Sequence, residues 1–256
     1  MITSSHNPKL KLIRALAGRP RERREAGLFL AEGARLVEDA LAAGWPFEFA
    51  LFSAEISNRG KKVVEQLVSS GVSVEEVTAE VFRAASETES SQGVVAALKL
   101  DSLPVPENPS FVLIPDQIRD PGNLGTLLRT AAALGVDAVF IPPETTDPWA
   151  PKVVRAGMGA HFRLAVATAG WEEIHTSVGQ MQVSLADARG ETPLWDVDFH
   201  SQKIALIVGG EADGASEAAK ELADNLVKIP MPGKIESLNA AVAGALLMYE
   251  VARQRR

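Results

Sequence analysis

The chain of 256 residues contains no cysteine. That absence excludes disulfides, thiolate nucleophiles and cysteine-based zinc sites. The histidines are few and scattered, at His6, His161, His175 and His200, with no metal-ligand spacing among them, so no metal centre is expected. Aromatic residues make up only 5% of the chain, and abundant alanine points instead to closely packed helices. No apolar run approaches the roughly 20 residues of a membrane span, and the start from Met1 to Lys11 is polar. The expectation is a cytoplasmic protein with no membrane association. With 46% hydrophobic and 23% charged residues, there is apolar material for a full core.

The net charge of −7 argues, taken alone, against a nucleic-acid partner. Its distribution argues the other way. Lys9, Lys11, Arg14, Arg19, Arg21, Arg23 and Arg24 fall within the first 24 residues, against Glu22 alone. Such a run is either a solvated helix face or an electrostatic footprint for a phosphate backbone.

Residues 1–100 read as an α/β unit. Asn7-Pro8 starts a helix with Leu10, Ile13, Leu16 and Ala17 on one face. Phe29-Leu30 is a short strand, and a second helix runs from Ala34 to Ala43. Strand-like segments follow at Phe47–Phe52, Val72–Val77 and Val94–Leu100, with an amphipathic helix over Lys61–Ser69. Residues 101–110 hold three prolines and little apolar content, which suits a linker. From Phe111 strands alternate with helices. Strands are expected at 111–114, 138–141, 162–166, 182–185, 204–208 and 226–229, and helices at 124–134, 151–158 and 216–224. This alternation predicts a mostly parallel sheet covered on both faces.

Three loops at strand ends carry candidate chemistry. The first, from Asp116 to Gly125, contains Asp120-Pro121-Gly122-Asn123, strong turn chemistry in which Asn123 can cap the following helix. Capping does not account for Arg129, which a helix covered by Leu124, Leu127, Leu128 and Ala131 would present back over the loop. The second, Val208 to Ser216, has Gly209 and Gly210 to admit a ligand near the backbone. A dinucleotide fold would place its glycine fingerprint early, with an acid about 20 residues on. Here Glu211 lies inside the loop and would repel a pyrophosphate, which disfavours a nucleotide-dependent oxidoreductase. The third runs Ile229-Pro230-Met231-Pro232-Gly233-Lys234-Ile235-Glu236-Ser237-Leu238-Asn239 into a small-residue helix expected to start at Ser237. A proline-stiffened apolar loop ahead of a helix N-terminus suits a flat, partly apolar ligand. Leu238, Val242, Leu246 and Tyr249 read as core positions of that helix.

In this order the three loops resemble the motifs of the SpoU (TrmH-type) RNA 2′-O-ribose methyltransferases of the SPOUT class. Asp120-Pro121-Gly122-Asn123-Leu124-Gly125 with Arg129-Thr130-Ala131 matches the first motif. Gly209-Gly210-Glu211, Gly214 and Ser216 match the second, with Ala212 and Ala215 as departures. Ile229 through Ala243 matches the third. Ser5-His6-Asn7-Pro8-Lys9, Phe29 to Val37 and Ser91 to Ala96 resemble the substrate-binding domain that precedes the catalytic domain in the ribosomal-RNA branch.

The resemblance implies a small α/β RNA-binding domain over 1–100, a linker over 101–110 and a methyltransferase domain over 111–256. That last domain would be a mostly parallel sheet with a carboxyl-terminal trefoil knot, in an obligate homodimer. It implies S-adenosylmethionine held around Gly209, Gly210, Ile229, Met231, Ser237 and Leu238, with Asn123, Arg129, Glu211 and Asn239 as the catalytic group. Lys9, Lys11, Arg19, Arg21, Arg23 and Arg24 become candidate RNA contacts, with ribosomal RNA the expected substrate. Transfer RNA, or an RNA-binding paralogue with weakened catalysis, are the alternatives.

Overall fold

The structure, a computed structural model, describes residues 1–86, 92–200, 203–210, 214–233 and 235–256. It forms two compact units, Met1–Asp101 with Trp149–Phe162, and Ser102–Pro148 with Arg163–Arg256. The segment Trp149–Phe162, expected within the methyltransferase domain, therefore belongs to the first unit.

The first unit comprises α1 (Pro8–Ala17), α2 (Pro20–Ala26), β1 (Leu28–Glu32), α3 (Ala34–Ala42), β2 (Phe47–Ser53), α4 (Asn58–Ser69), β3 (Val74–Val77), α5 (Ala79–Arg83) and β4 (Val94–Lys99). Asn7 caps α1 by accepting from the Lys9 amide at 2.8 Å, and Pro8 opens the helix, where its missing N–H costs nothing. The sheet order is β1-β4-β2-β3, with β4 antiparallel to both neighbours and β3 parallel to β2. Alternation along β1 sends Leu28 and Leu30 to a core shared with Leu10, Ile13 and Leu16 of α1. Phe29, between them, faces the other way and meets Trp149 at 4.8 Å between ring centroids, while Trp45 meets Phe162 at 5.2 Å. These ring contacts are why α7 (Pro151–Gly157) and its flanks join this unit.

The second unit comprises β5 (Phe111–Pro115), α6 (Pro121–Ala133), β6 (Ala138–Ile141), β7 (Ala165–Thr168), α8 (Trp171–Val178), β8 (Gln182–Ala186), β9 (Thr192–Pro193), β10 (Ile204–Val208), α9 (Glu217–Leu222), β11 (Asn225–Lys228) and α10 (Ala240–Gln254). Its seven-stranded sheet has the order β7-β6-β5-β10-β8-β11-β9, and every pairing is parallel. Every residue of β5 and β10 is buried, as continuous apolar strands between two helical layers must be. Ile174 and Val178 of α8 pack on one face with Ile114, Leu185 and Ile207. The face under α6 and α10 takes Leu127, Leu247, Met248 and Val251, each fully buried. Burying each such side chain contributes about 1.5–3 kcal/mol. The chain lays down β5, β6 and β7 outward, then returns to place β10 beside β5. That reversal opens a crevice at the carboxyl ends of the strands, where parallel sheets bind ligands.

Several expectations shift. The strand expected at Phe162–Val166 begins at Ala165, because Ala160–Phe162 forms a 3₁₀ turn. The charged stretch from Pro20 to Ala26 is the helix α2, opened by proline and closed by Gly27 at φ 63°. The last helix starts at Ala240 rather than Ser237. Val242, Leu246 and Tyr249, read as core, are 49%, 42% and 55% exposed on one face of α10. Among the described residues, no helix is long and apolar enough to cross a membrane.

Candidate functional site

The ends of β10, β8 and β11 open into a cavity of about 590 Å³, within the 300–1,000 Å³ span of small-molecule sites. Gly209, Gly210, Ile229, Met231, Ser237 and Leu238 all line it, together with Asn239. Glu211 and Ala212 lie outside the described residues, as does Ser91.

Each loop is anchored by its own polar chemistry. In the first, Asp120 rather than Asn123 caps α6, its carboxylate accepting from the Asn123 amide at 2.8 Å. The Asn123 side chain is thereby released from capping. In the third, Asn239 rather than Ser237 caps α10, its Oδ1 accepting from the Ala241 and Val242 amides at 2.9 and 3.2 Å. Backbone N–H groups can only donate, so the acceptor must be oxygen, and the Asn239 amide has one orientation. Its Nδ2 then donates to Asn123 Oδ1 at 3.0 Å. This fixes the second amide in turn, with Asn123 Oδ1 turned toward Asn239.

The glycine pair of the second loop does something different from the expected close approach of a ligand. A Cβ on Gly209 would lie 2.7 Å from the Ala215 nitrogen, and one on Gly210 would lie 2.5 Å from the Gln117 carbonyl oxygen. Gly209 thus lets the second loop close on itself and Gly210 presses it onto the first, while the backbone of both still walls the cavity. Asp116, at the end of β5, completes this junction. It is fully buried, and its Oδ2 accepts from the Ser216 amide at 2.6 Å. Burial raises its pKa against the opposing pull of the Ser216 hydrogen bonds, and among the described residues Oδ1 has no hydrogen-bond partner.

A fourth wall, Ala186 to Arg189, was missed from sequence. The signal was present, since Asp187-Ala188-Arg189-Gly190 directly follows a parallel strand. Asp187 Oδ1 accepts from the backbone amide and Nε of Arg189, at 2.8 and 3.1 Å, and Oδ2 accepts from Nη2 at 2.9 Å. This pairing with the Arg189 guanidinium lowers the Asp187 pKa and keeps it ionised.

Arg129 lies outside the cavity wall, exposed on α6. The basic run of the first unit divides. Arg23, expected to contact RNA, is 1% exposed and donates from Nη1 to the carbonyls of Leu16 and Gly18 at 2.7 and 3.3 Å. It joins the end of α1 to α2 and is corrected to a structural residue, unavailable to a phosphate. Lys9 pairs with Glu75 and lies 4.9 Å from the Phe49 ring centroid. Arg21 pairs with Glu25 at 2.7 Å. Lys11, Arg19 and Arg24 are exposed. Among the described residues, no group of side chains could hold a metal ion.

Comparison with known proteins places these features. Residues 110–249 match the SpoU rRNA Methylase family, and residues 7–96 match the MRM3-like substrate binding domain. A 23S rRNA (uridine(2479)-2′-O)-methyltransferase of Streptomyces viridochromogenes is 32% identical, with 98% of this chain and 92% of that protein covered. A 23S rRNA (guanosine(2553)-2′-O)-methyltransferase of Bacillus subtilis is 31% identical, with 98% of each covered. The solved structure of an AdoMet-bound rRNA methyltransferase from Sinorhizobium meliloti superposes with a TM-score of 0.86 at 32% identity, covering 98% of this chain and 97% of that one.

Proposed function

The chain belongs to the SpoU rRNA methylase family, and from that premise we propose that it methylates a ribose 2′-hydroxyl of ribosomal RNA, using S-adenosylmethionine. The observation that carries the reading is the cavity, because six residues named from motif likeness and Asn239 all wall one space of suitable size. Its lining suits the donor, with Ile229, Met231 and Leu238 as apolar wall and Ser237 and Asn239 as polar groups. When bound, S-adenosylmethionine supplies a sulfonium methyl, which passes to the 2′ oxygen while sulfur keeps the bonding pair and the hydroxyl proton leaves to solvent.

The chain's own contribution is electrostatic. Asn239, held by the helix it caps, orients the Asn123 amide, and the pair is set beside the 2′ oxygen that becomes more negative as its proton departs. Donors preset in this way contribute about 10²- to 10³-fold each. An arginine stays protonated at neutral pH and is a poor base. Arg129, exposed on α6, grips a neighbouring phosphate and adds positive potential beside the alkoxide. Glu211 orients the cofactor and ribose, as the family likeness implies.

Three further elements belong to this reading. The protein acts as a homodimer through the second unit, supported by the exposed apolar face of Val242, Leu246 and Tyr249. The segment 229–239 forms the trefoil knot, supported by its return from β11, between β8 and β9, to a helix packed on α6 and β10. The first unit binds structured RNA in the cytoplasm, supported by its substrate-binding match and by exposed Lys11, Arg19 and Arg24. Mapping 2′-O-methyl positions in total RNA with and without the gene tests the reading. One ribosomal-RNA position should lose its mark and regain it on complementation. Loss confined to transfer RNA would move the substrate, and no change anywhere would favour a paralogue that binds without catalysing.

A further inference from the structure

The cavity has two ends, set by strand order. Its β10 side faces β5, where Gly210 abuts Gln117 and where Asn239 meets Asn123 at the start of α6. Its other side lies over β8 and β11, where the Asp187 amide donates to the Val227 carbonyl at 3.0 Å. Strands lie about 4.8 Å apart, so the β11 edge is about 10 Å from β10. A donor whose sulfur reaches the paired asparagines must extend one of its arms over β8 and β11. The wall there combines Val227, Ile229 and Met231 with the Asp187–Arg189 ion pair. Apolar side chains beside two charges already paired to each other fit a purine nucleoside better than a zwitterionic amino acid.

A carboxylate offers about four acceptor positions, two on each oxygen. Arg189 uses both of those on Oδ1, through its backbone amide and Nε, but only one on Oδ2. The Asp187 side chain is 13% exposed and that of Arg189 80% exposed, so the guanidinium braces the carboxylate from the solvent side. Pairing favours the ionised form of Asp187 and leaves Oδ2 with one further acceptor position.

Resting on the methyl-donor reading above, we propose that Asp187 Oδ2 accepts a hydrogen bond from one ribose hydroxyl of the donor's adenosine, with Arg189 as the residue that positions it. The test compares binding of 5′-methylthioadenosine and its 2′-deoxy and 3′-deoxy counterparts to the wild-type protein and to Asp187→Ala. Alanine can neither accept from nor donate to a hydroxyl, which asparagine could still do through its NH₂.

The wild type should bind one deoxy compound about tenfold more weakly than the parent, as expected for a missing hydrogen bond to a charged group. Asp187→Ala should bind all three within about twofold of one another. Discrimination that persists in the variant, or is absent from the wild type, overturns the assignment. So does a variant that weakens S-adenosylhomocysteine but leaves 5′-methylthioadenosine unchanged, because the contact would then be to the amino-acid arm. If the wild type binds S-adenosylhomocysteine but the assignment fails, the methyl-donor reading survives. If it binds neither compound, both are overturned. Melting temperatures of the two proteins, compared without ligand, separate impaired recognition from impaired folding.

Discussion

The two units deploy their polar groups in opposite ways. In the second, groups far apart in sequence meet at the ends of adjacent parallel strands. Asn239 uses its oxygen on α10 and its nitrogen on Asn123, 116 residues away in sequence. In the first, cations close in sequence are dispersed by the helices that carry them. Successive residues point about 100° apart around a helix, so Arg23 enters the interior while Arg24, its neighbour, faces water. Adjacency along the chain is a poor guide to a shared surface on a helix. Loops that follow parallel strands share an edge whatever their separation in sequence.

The sharpest way to break this contrast is at the paired amides. Asn239→Asp preserves the cap, since aspartate serves as well there, but sets a carboxylate against Asn123 Oδ1. Single-turnover methyl transfer should fall about 10²- to 10³-fold with the melting temperature nearly unchanged. A comparable loss of stability would make the pair architectural.

On the other side of the comparison, Arg23→Gln should destabilise the protein by about 1–3 kcal/mol, through the buried Leu16 carbonyl and the part-buried Gly18 carbonyl left without their donor. Denaturant unfolding measures this, and RNA affinity of the folded variant should stay within about twofold. The converse result, intact stability with weakened RNA binding, would return Arg23 to the interface. A smaller effect is expected on the exposed cations. Replacing Lys11, Arg19 and Arg24 with glutamine should flatten the salt dependence of RNA binding, by up to about 0.7–0.9 in the logarithmic slope for each phosphate no longer neutralised. Replacing Lys9 and Arg21, already paired with Glu75 and Glu25, should change it less.

The smallest effect is electrostatic and internal. Asp116 has its pKa raised by burial, so its ionised form is disfavoured in the native state. The associated stability is present below the ordinary carboxylate range and is lost as pH rises through the native pKa. Asp116→Asn lacks that titration. Unfolding free energies measured from pH 4 to pH 7 should therefore fall for the wild type relative to the variant as pH rises. Parallel curves would mean that the Ser216 hydrogen bond offsets burial fully.

Much of this architecture was legible in the sequence, for reasons specific to each element. Continuous apolar strands such as Ile204–Val208 announce a sheet buried on both faces, and Pro8 after Asn7 announces a helix start. The order in which the strands pair was not legible, because nothing local in β10 states that it lies between β5 and β8. That order decides which loops meet, and it brings Asp187 and Arg189 into the wall. Caps were misassigned by three residues in the first loop and two in the third, since Asp120, Asn123, Ser237 and Asn239 are all competent N-caps. The exposure of Val242, Leu246 and Tyr249 was hidden for a related reason, as a helix rich in alanine is apolar all round and does not declare its buried face.

The central claim is that the cavity over β10, β8 and β11 holds the methyl donor with its sulfur toward Asn123 and Asn239. A crystal structure of the protein with S-adenosylhomocysteine tests it most directly. The ligand should lie among Gly209, Ile229, Met231 and Leu238, with the sulfur facing the paired amides. Density for the ligand elsewhere, or none at saturating concentration, would contradict it.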